Sequence, residues 1–266
     1  MRRIGIDAGG SLIKLAYEES GRLHVKTYPN QDREQLLQWL TSVAPDATLH
    51  VTGGKSGYLA MTATQRTRYV DEFQAIIEGT RYLLDQEKHS PSNEYIIVSI
   101  GTGTSIFHVT PTHYERLSGS GIGGGTFMGL GSLITGEKDF FKLVELAAKG
   151  DHKNSDLLVK DIYAPDEAPL FGDLTAANFG KAHDNDSATT EDHMTALIQL
   201  IGETIILLAG QAAIAKNTQK IVFVGSTLDR NKALQDVLSS FQDRMAYVPV
   251  FLSRGPYAGA IGSLLL

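Results

Sequence analysis

Cysteine is absent from this sequence, which excludes disulfides, thiolate nucleophiles and Cys-ligated metal clusters. A basic surplus is missing too: 24 Lys and Arg stand against 30 Asp and Glu, for a net charge of -6. Nothing there neutralises a phosphate backbone, so no nucleic-acid partner is expected, although a local cationic pocket stays open. Long apolar runs are scarce. The one such stretch, residues 196–215, contains Gln199, Glu203 and Gln211; a carboxylate inside a lipid span is costly, so the stretch reads as a buried helix and no membrane contact is expected. The opening string Met1-Arg2-Arg3-Ile4-Gly5-Ile6-Asp7 meets an acid too soon for a secretory signal. These absences together lead to an expectation of a cytoplasmic protein. With 42% apolar and 20% charged residues, the chain has the composition to bury a core in one or two lobes.

Glycine is what the chain has in quantity. Its 27 glycines gather in short runs at the ends of expected strands. Strands are expected at residues 3–6, 12–17, 23–27 and 48–52, with a helix over 32–42. From Glu72, the positions Phe73, Ile76, Ile77, Thr80, Leu83 and Leu84 repeat with helical period. A polar stretch, 88–93, contains Pro91 and marks a boundary, giving lobes 1–93 and 94–266. The opening pattern then recurs: Ile6-Asp7-Ala8-Gly9-Gly10-Ser11-Leu12-Ile13-Lys14 resembles Ile100-Gly101-Thr102-Gly103-Thr104-Ser105-Ile106-Phe107-His108. Aligned at Gly9 with Gly103 and Ser11 with Ser105, and each followed by a third strand, the strings imply a duplicated lobe. Further on, helices are expected over 140–149, 195–216, 232–242 and 255–265, strands over 220–224 and 246–251, and an exposed connection over 183–193. His108, His113, His183 and His193 show no metal-ligand spacing and are expected to be solvated.

Turns at 7–14, 101–105 and 225–227 end strands, and Gly119–Thr126 opens a helix. Such turns leave backbone N–H groups unshielded and suit a phosphate. None matches the pattern G-x-x-x-x-G-K-[ST], and the Gly119–Gly124 string is not set in a dinucleotide-binding unit. Strand, glycine turn, strand, strand, twice over, with an acid in the first turn, resembles the actin, hexokinase and Hsp70 ATPase superfamily. That resemblance implies an α/β fold of two ribonuclease-H-like lobes around a nucleotide cleft. It makes Asp7 the carboxylate that holds Mg²⁺, usually through water; read by itself, Asp7 is equally a turn former. Lys14 either reaches phosphate oxygens or faces solvent.

Four strings narrow the resemblance: residues 5–14, Asp71-Glu72-Phe73, Arg116-Leu117-Ser118-Gly119-Ser120-Gly121-Ile122-Gly123-Gly124-Gly125-Thr126-Phe127, and Gly172-Asp173-Leu174-Thr175-Ala176-Ala177-Asn178-Phe179-Gly180. Their order is similar to that of type II pantothenate kinases over essentially the whole chain. The resemblance implies ATP-dependent phosphorylation of pantothenate to 4′-phosphopantothenate, with ATP and Mg²⁺ as cofactors and a homodimer as the assembly. By residue, it implies Glu72 as general base, with Asp71 the competing carboxylate, and Arg116 and Ser105 on the substrate. It implies nucleotide contacts from Asp7, Ala8, Gly9, Gly10, Ser11, Leu12, Ile13, Lys14, Thr102, Gly124, Gly125, Thr126, Phe127, Met128 and Ser226. Phe140 is either a ring flanking the nucleotide or a core residue. The rivals are a sugar or N-acetylhexosamine kinase of the same superfamily and a non-catalytic nucleotide or acyl-CoA sensor.

Overall fold

The computed structural model describes residues 3–89, 94–169 and 171–266; the boundary placed at 93 lies outside the described residues. The first half runs β1 (Arg3–Ala8), β2 (Leu12–Glu19), β3 (Arg22–Pro29), α1 (Arg33–Val43), β4 (Thr48–Thr52), α2 (Ser56–Thr62), β5 (Arg66–Tyr69) and α3 (Glu72–Gln86). The second runs β6 (Tyr95–Ile100), β7 (Thr104–Val109), β8 (Tyr114–Ser120), α4 (Gly124–Thr135), α5 (Phe140–Ala147), β9 (Leu157–Leu158), α6 (Val159–Tyr163), β10 (Thr175–Ala177), α7 (Thr190–Ala215), β11 (Lys220–Val224), α8 (Lys232–Ser239), β12 (Val248–Phe251) and α9 (Ala258–Leu265).

Each half builds one five-stranded sheet, in the orders β3-β2-β1-β4-β5 and β8-β7-β6-β11-β12. The first three strands of each are antiparallel and the last two join in parallel. One topology therefore occurs twice. Its hairpins close at Ala8↔Ile13 and Ile100↔Thr104, so the structural partner of Ala8 is Ile100. This corrects the string alignment of Gly9 with Gly103, which runs two residues out of step in the first strand and three in the second, the second turn being one residue shorter. The stretch 54–71, left without elements by the sequence, holds α2 and β5; both are short and β5 is largely exposed, so neither shows a clear period.

Apolar side chains divide into three cores by strand parity. Ile4, Ile6, Ala8, Ile13 and Leu15 pack outward with Leu36, Leu40 and Leu59 of α1 and α2. Ile96, Val98, Ile100, Ile221 and Phe223 pack with α4, α5, α7 and α8. Between the sheets, Ile97, Phe107, Val222 and Val224 meet Ile77 and Leu83 of α3 and Ala260 and Ile261 of α9. The layers are thus helices, sheet, helices, sheet, helices, and the C-terminal helix returns to pack on β1 as well as on α3. α7 begins at Thr190, earlier than expected: Thr189 accepts from the Asp192 N–H while the Asp192 carboxylate accepts from the Thr189 N–H, a capping box within the segment expected to be an exposed connection. His193 thereby becomes helical and its Nδ1 lies 2.8 Å from Ser155 Oγ, which corrects its assignment as solvated. α7 is long and apolar enough to cross a membrane by length and composition alone, yet Leu197, Ile198, Ile201, Ile205 and Ile206 lie in the protein core.

The central layer depends on two glycines. A Cβ on Gly79 of α3 would lie 1.8 Å from the Ala258 carbonyl oxygen, and one on Gly262 of α9 would lie 1.7 Å from that of Ala75. Both obstacles are backbone and cannot step aside. We expect Gly262→Ala to cost about 3 kcal/mol, the upper range for overpacking, read as a lower urea midpoint at unchanged slope.

Candidate functional site

α3 starts where it does because Asp71 caps it: its Oδ1 accepts the Gln74 N–H at 2.8 Å. Of the two neighbouring carboxylates Asp71 is thus engaged in the cap, whereas Glu72 is left at the exposed first turn with no hydrogen bond of its own among the described residues. Asp7 sits near the end of β1 on the face turned to the central helices, and Lys14 is its cross-strand neighbour, with Nζ 3.8 Å from Asp7 Oδ2. Lys14 is buried, which corrects the solvent-facing alternative. Desolvation first, then Asp7 and Asp71, push the Glu72 carboxyl above the usual carboxylate range, with Lys14 opposing them. Asp7, Lys14 and Glu72 therefore form one electrostatic group.

Space around Asp7 is kept by glycines. A Cβ on Gly53 would lie 2.8 Å from its Oδ1, and one on Gly259 would lie 2.8 Å from its Oδ2. Beside it on β4, Thr52 carries a buried hydroxyl with no hydrogen-bond partner among the described residues. A single carboxylate whose flanks are glycines fits a hydrated divalent cation that keeps most of its own waters; a protein cage of three or more ligating side chains is absent among the described residues.

Two glycine turns meet over this group. Gly9 and Gly10 follow β1, and Asn30 Nδ2 holds them by donating to both carbonyls, at 3.0 and 2.6 Å. Opposite, Thr102 Oγ1 lies 3.0 Å from where a Gly10 Cβ would be. The N–H groups of Gly10, Ser11, Thr102 and Gly103 have no acceptor among the described residues, so both turns carry unspent donors where they approach each other. Behind the second turn, Gly124 donates to the Gly101 carbonyl and Gly125 to that of Thr102, each at 2.8 Å, locking the start of α4 to the loop. Thr227 Oγ1 also donates to Gly101, at 2.9 Å, which brings the Ser226 turn to the same place. The structure thus gathers Asp7, Gly9, Gly10, Ser11, Lys14, Glu72, Thr102, Gly124, Gly125 and Ser226. Thr126 caps the start of α4, donating to the Gly121 carbonyl at 3.0 Å.

Some expected contacts change character. The side chains of Ala8, Ile13 and Phe127 are buried in the cores, so a ligand would meet only their backbone; Leu12 and Met128 are half-buried at the margins. Phe140 packs edge-on against Phe127, centroids 5.7 Å apart, and is partly buried against that core. Ser105 and Phe107 point from β7 toward the α3 side, and Arg116 of β8 is paired with Phe107. Sequence reading missed Asn30 and Thr227, whose roles come from hydrogen bonds across 20 or more residues. The segment Gly172–Gly180 lies on the α7 side of the second sheet, not in this cleft: Glu203 accepts from Thr175 at 2.7 Å and Asn178 at 3.1 Å, and the Asp156 carboxylate accepts from Phe179 N–H. A cavity of about 350 Å³ there, lined by Gln199, Glu203 and Arg244 among others, contains none of the glycine-turn residues.

Raising a carboxyl pKa on folding costs stability wherever the group is ionised in both states. Glu72→Gln should therefore raise the thermal midpoint at pH 7, and that gain should vanish below about pH 3, where both states are protonated. Carboxyl NMR titration of Asp7→Asn should find Glu72 moved back down.

A family profile described as Fumble matches residues 3–266. The chain is 49% identical over 265 residues to a type II pantothenate kinase of Oceanobacillus iheyensis, covering 100% of this chain and 99% of that one. It is 39% identical to a type II pantothenate kinase of Bacillus anthracis, covering 98% and 96%. Among solved structures, component A of the (R)-2-hydroxyglutaryl-CoA dehydratase of Acidaminococcus fermentans matches with TM-score 0.65 at 15% identity over 99% of this chain and 96% of that one. A ROK family glucokinase from Streptomyces griseus, solved with glucose and AMPPNP, matches with TM-score 0.58 at 11% identity over 98% and 97%. At these identities the two structures speak for the fold alone.

Proposed function

The chain belongs to the Fumble family, and from that premise we propose that it is an ATP-dependent pantothenate kinase making 4′-phosphopantothenate at the entry to coenzyme A synthesis. The observation that carries the reading is the full-length 49% identity to a type II pantothenate kinase. The convergence of Glu72, Asp7 and Lys14 beneath two donor-rich glycine turns supports it. In this reading the amides of Gly10, Ser11, Thr102 and Gly103, with Lys14, hold the phosphates and offset charge that builds up during in-line transfer. Glu72 accepts the proton of the primary hydroxyl as the phosphoryl group arrives, and its raised pKa makes it a stronger base than a free carboxylate. Asp7 would hold Mg²⁺ through water, and the ion would neutralise phosphate charge. Arg116 and Ser105 face the acceptor, with Arg116 on the carboxylate of pantothenate, an anion that the acidic chain would otherwise repel. We place the lobes at 1–93 and 94–266, with α9 reaching back to the first sheet, and the enzyme in the cytoplasm.

Glu72→Gln keeps the shape and removes the base. Turnover should fall by about 10²–10⁴ while nucleotide affinity, measured by calorimetry, stays the same; near-normal turnover would exclude Glu72 as the base.

The assembly follows from α7. Leu207 and Ile214, seven residues apart on one stripe of the helix, are 49% and 66% exposed, and Leu208 beside them is 41% exposed. A stripe this apolar calls for a cover, and the reading supplies a second copy of the chain. Light scattering at micromolar concentration should report a dimer in the wild type and a monomer in Leu207→Glu/Ile214→Glu; a wild-type monomer of 28.8 kDa would contradict it.

A further inference from the structure

Arg116 reaches the cleft face through an irregularity in β8. Ser105 pairs with Gly119 and Ile106 with Ser118, but Phe107 pairs with Arg116, so Leu117 is an extra residue. Without that bulge Leu117 would stand opposite Phe107, and Arg116 would fall on the other face. Once there, the guanidinium is seated between two neighbours. Its Cζ lies 5.5 Å from the centroid of the Phe73 ring, and that ring is braced edge-on by the buried Phe107, centroids 5.3 Å apart. On the other side, a Cβ on Gly119 would lie 2.2 Å from Arg116 Nη2 and 3.2 Å from Cζ. Arg116 forms no ion pair among the described residues. An arginine oriented by a ring and a missing side chain, rather than by an acid, keeps its hydrogen-bonding fork for a ligand.

We propose that Phe73 and Gly119 are positioning residues that seat Arg116 for the carboxylate of the acceptor. The proposal rests on the functional reading above. Phe73 directly follows Glu72, so one turn of α3 carries both the base and the seat of the clamp. That fixes the distance between the two ends of the acceptor, and selects for acids that bear a primary hydroxyl at a matching separation over alcohols without the acid. A Cβ on Gly119 meets the free end of Arg116 first, and next the Thr104 carbonyl oxygen at 3.1 Å, a contact that asks the neighbouring strand to give by only a few tenths of an ångström. Gly119→Ala therefore displaces the guanidinium while the sheet persists.

The test is steady-state kinetics on pantothenate and on pantothenyl alcohol, which lacks the carboxylate. The variants are Phe73→Leu, Phe73→Tyr, Gly119→Ala and Arg116→Ala, and the first and third are also combined with Arg116→Ala. Arg116→Ala should raise KM for pantothenate about 10- to 150-fold, the worth of a charge-assisted hydrogen bond. Phe73→Leu and Gly119→Ala should each raise it about 2- to 5-fold, leave KM for ATP and for the alcohol unchanged, and add nothing in the Arg116→Ala background. Phe73→Tyr, which keeps the ring face, should restore wild-type KM. If either change raises KM equally for acid and alcohol, or still raises it without Arg116, the seat is wrong and the residue acts through general packing. If wild type does not phosphorylate pantothenate at all, it is the functional reading that fails. If Phe73→Leu does not fold, Gly119→Ala decides alone.

Discussion

Gly5, Gly79 and Gly262 form a line of backbone contact through the middle of the molecule. A Cβ on Gly5 would lie 2.1 Å from the Ala260 carbonyl oxygen, so β1 touches α9 as closely as α9 touches α3. Three elements remote in sequence are thereby held at backbone distance. Asp7 is at the end of the first, Gly259 at the start of the second, and Glu72 at the start of the third. The separation of Asp7 and Glu72 is set by this stack, not by any bond between the two carboxylates. Burial of a carboxylate, and next the like charges of Asp7 and Asp71 beside it, are unfavourable to its ionised form, and both raise the pKa of Glu72.

The duplicated topology does the complementary work. Because each half ends its first strand at a glycine turn, two turns arrive beside each other with N–H groups unspent. Each is braced from outside its own hairpin: Asn30 holds the first, while Gly124, Gly125 and Thr227 hold the second. Unshielded amides alone would leave the loops floppy, and an anion would have to order them on binding. Braced, they are arranged before the ligand arrives, which is how fixed dipoles stabilise charge without reorganisation.

The helix at the other end of the fold solves a different problem. α7 carries Glu203 among apolar neighbours, and the carboxylate is tolerated because Thr175, Asn178 and Gln199 all donate to it. The Gly-Asp-Leu-Thr-Ala-Ala-Asn-Phe-Gly string is thus tied to α7, and Phe179 sits in the left-handed region at φ 58°, its N–H taken by Asp156. A string that pointed to the family by likeness is, within one chain, explained first by these bonds.

Much was decided by local chemistry and is legible in the residues. The strand–turn–strand repeats, the period of α3 with Glu72 at its start, and the donor-rich glycine turns follow from spacing of 2 or 3.6 and from where glycine relieves the backbone. The resemblance of four strings added the family, which the full-length matches show. Tertiary structure decided what depends on register and on contacts distant in sequence. The second hairpin is tighter than the first, which no string comparison weighs. A single extra residue, Leu117, turned Arg116 to the cleft face, because strand parity flips with every one-residue step. Asp71 became a cap and Glu72 the free carboxylate because a helix can have only one N-cap. Phe127 became core, with Phe140 partly buried against it, because burial is settled by what packs from elsewhere, and a residue's own neighbours in sequence carry no record of that.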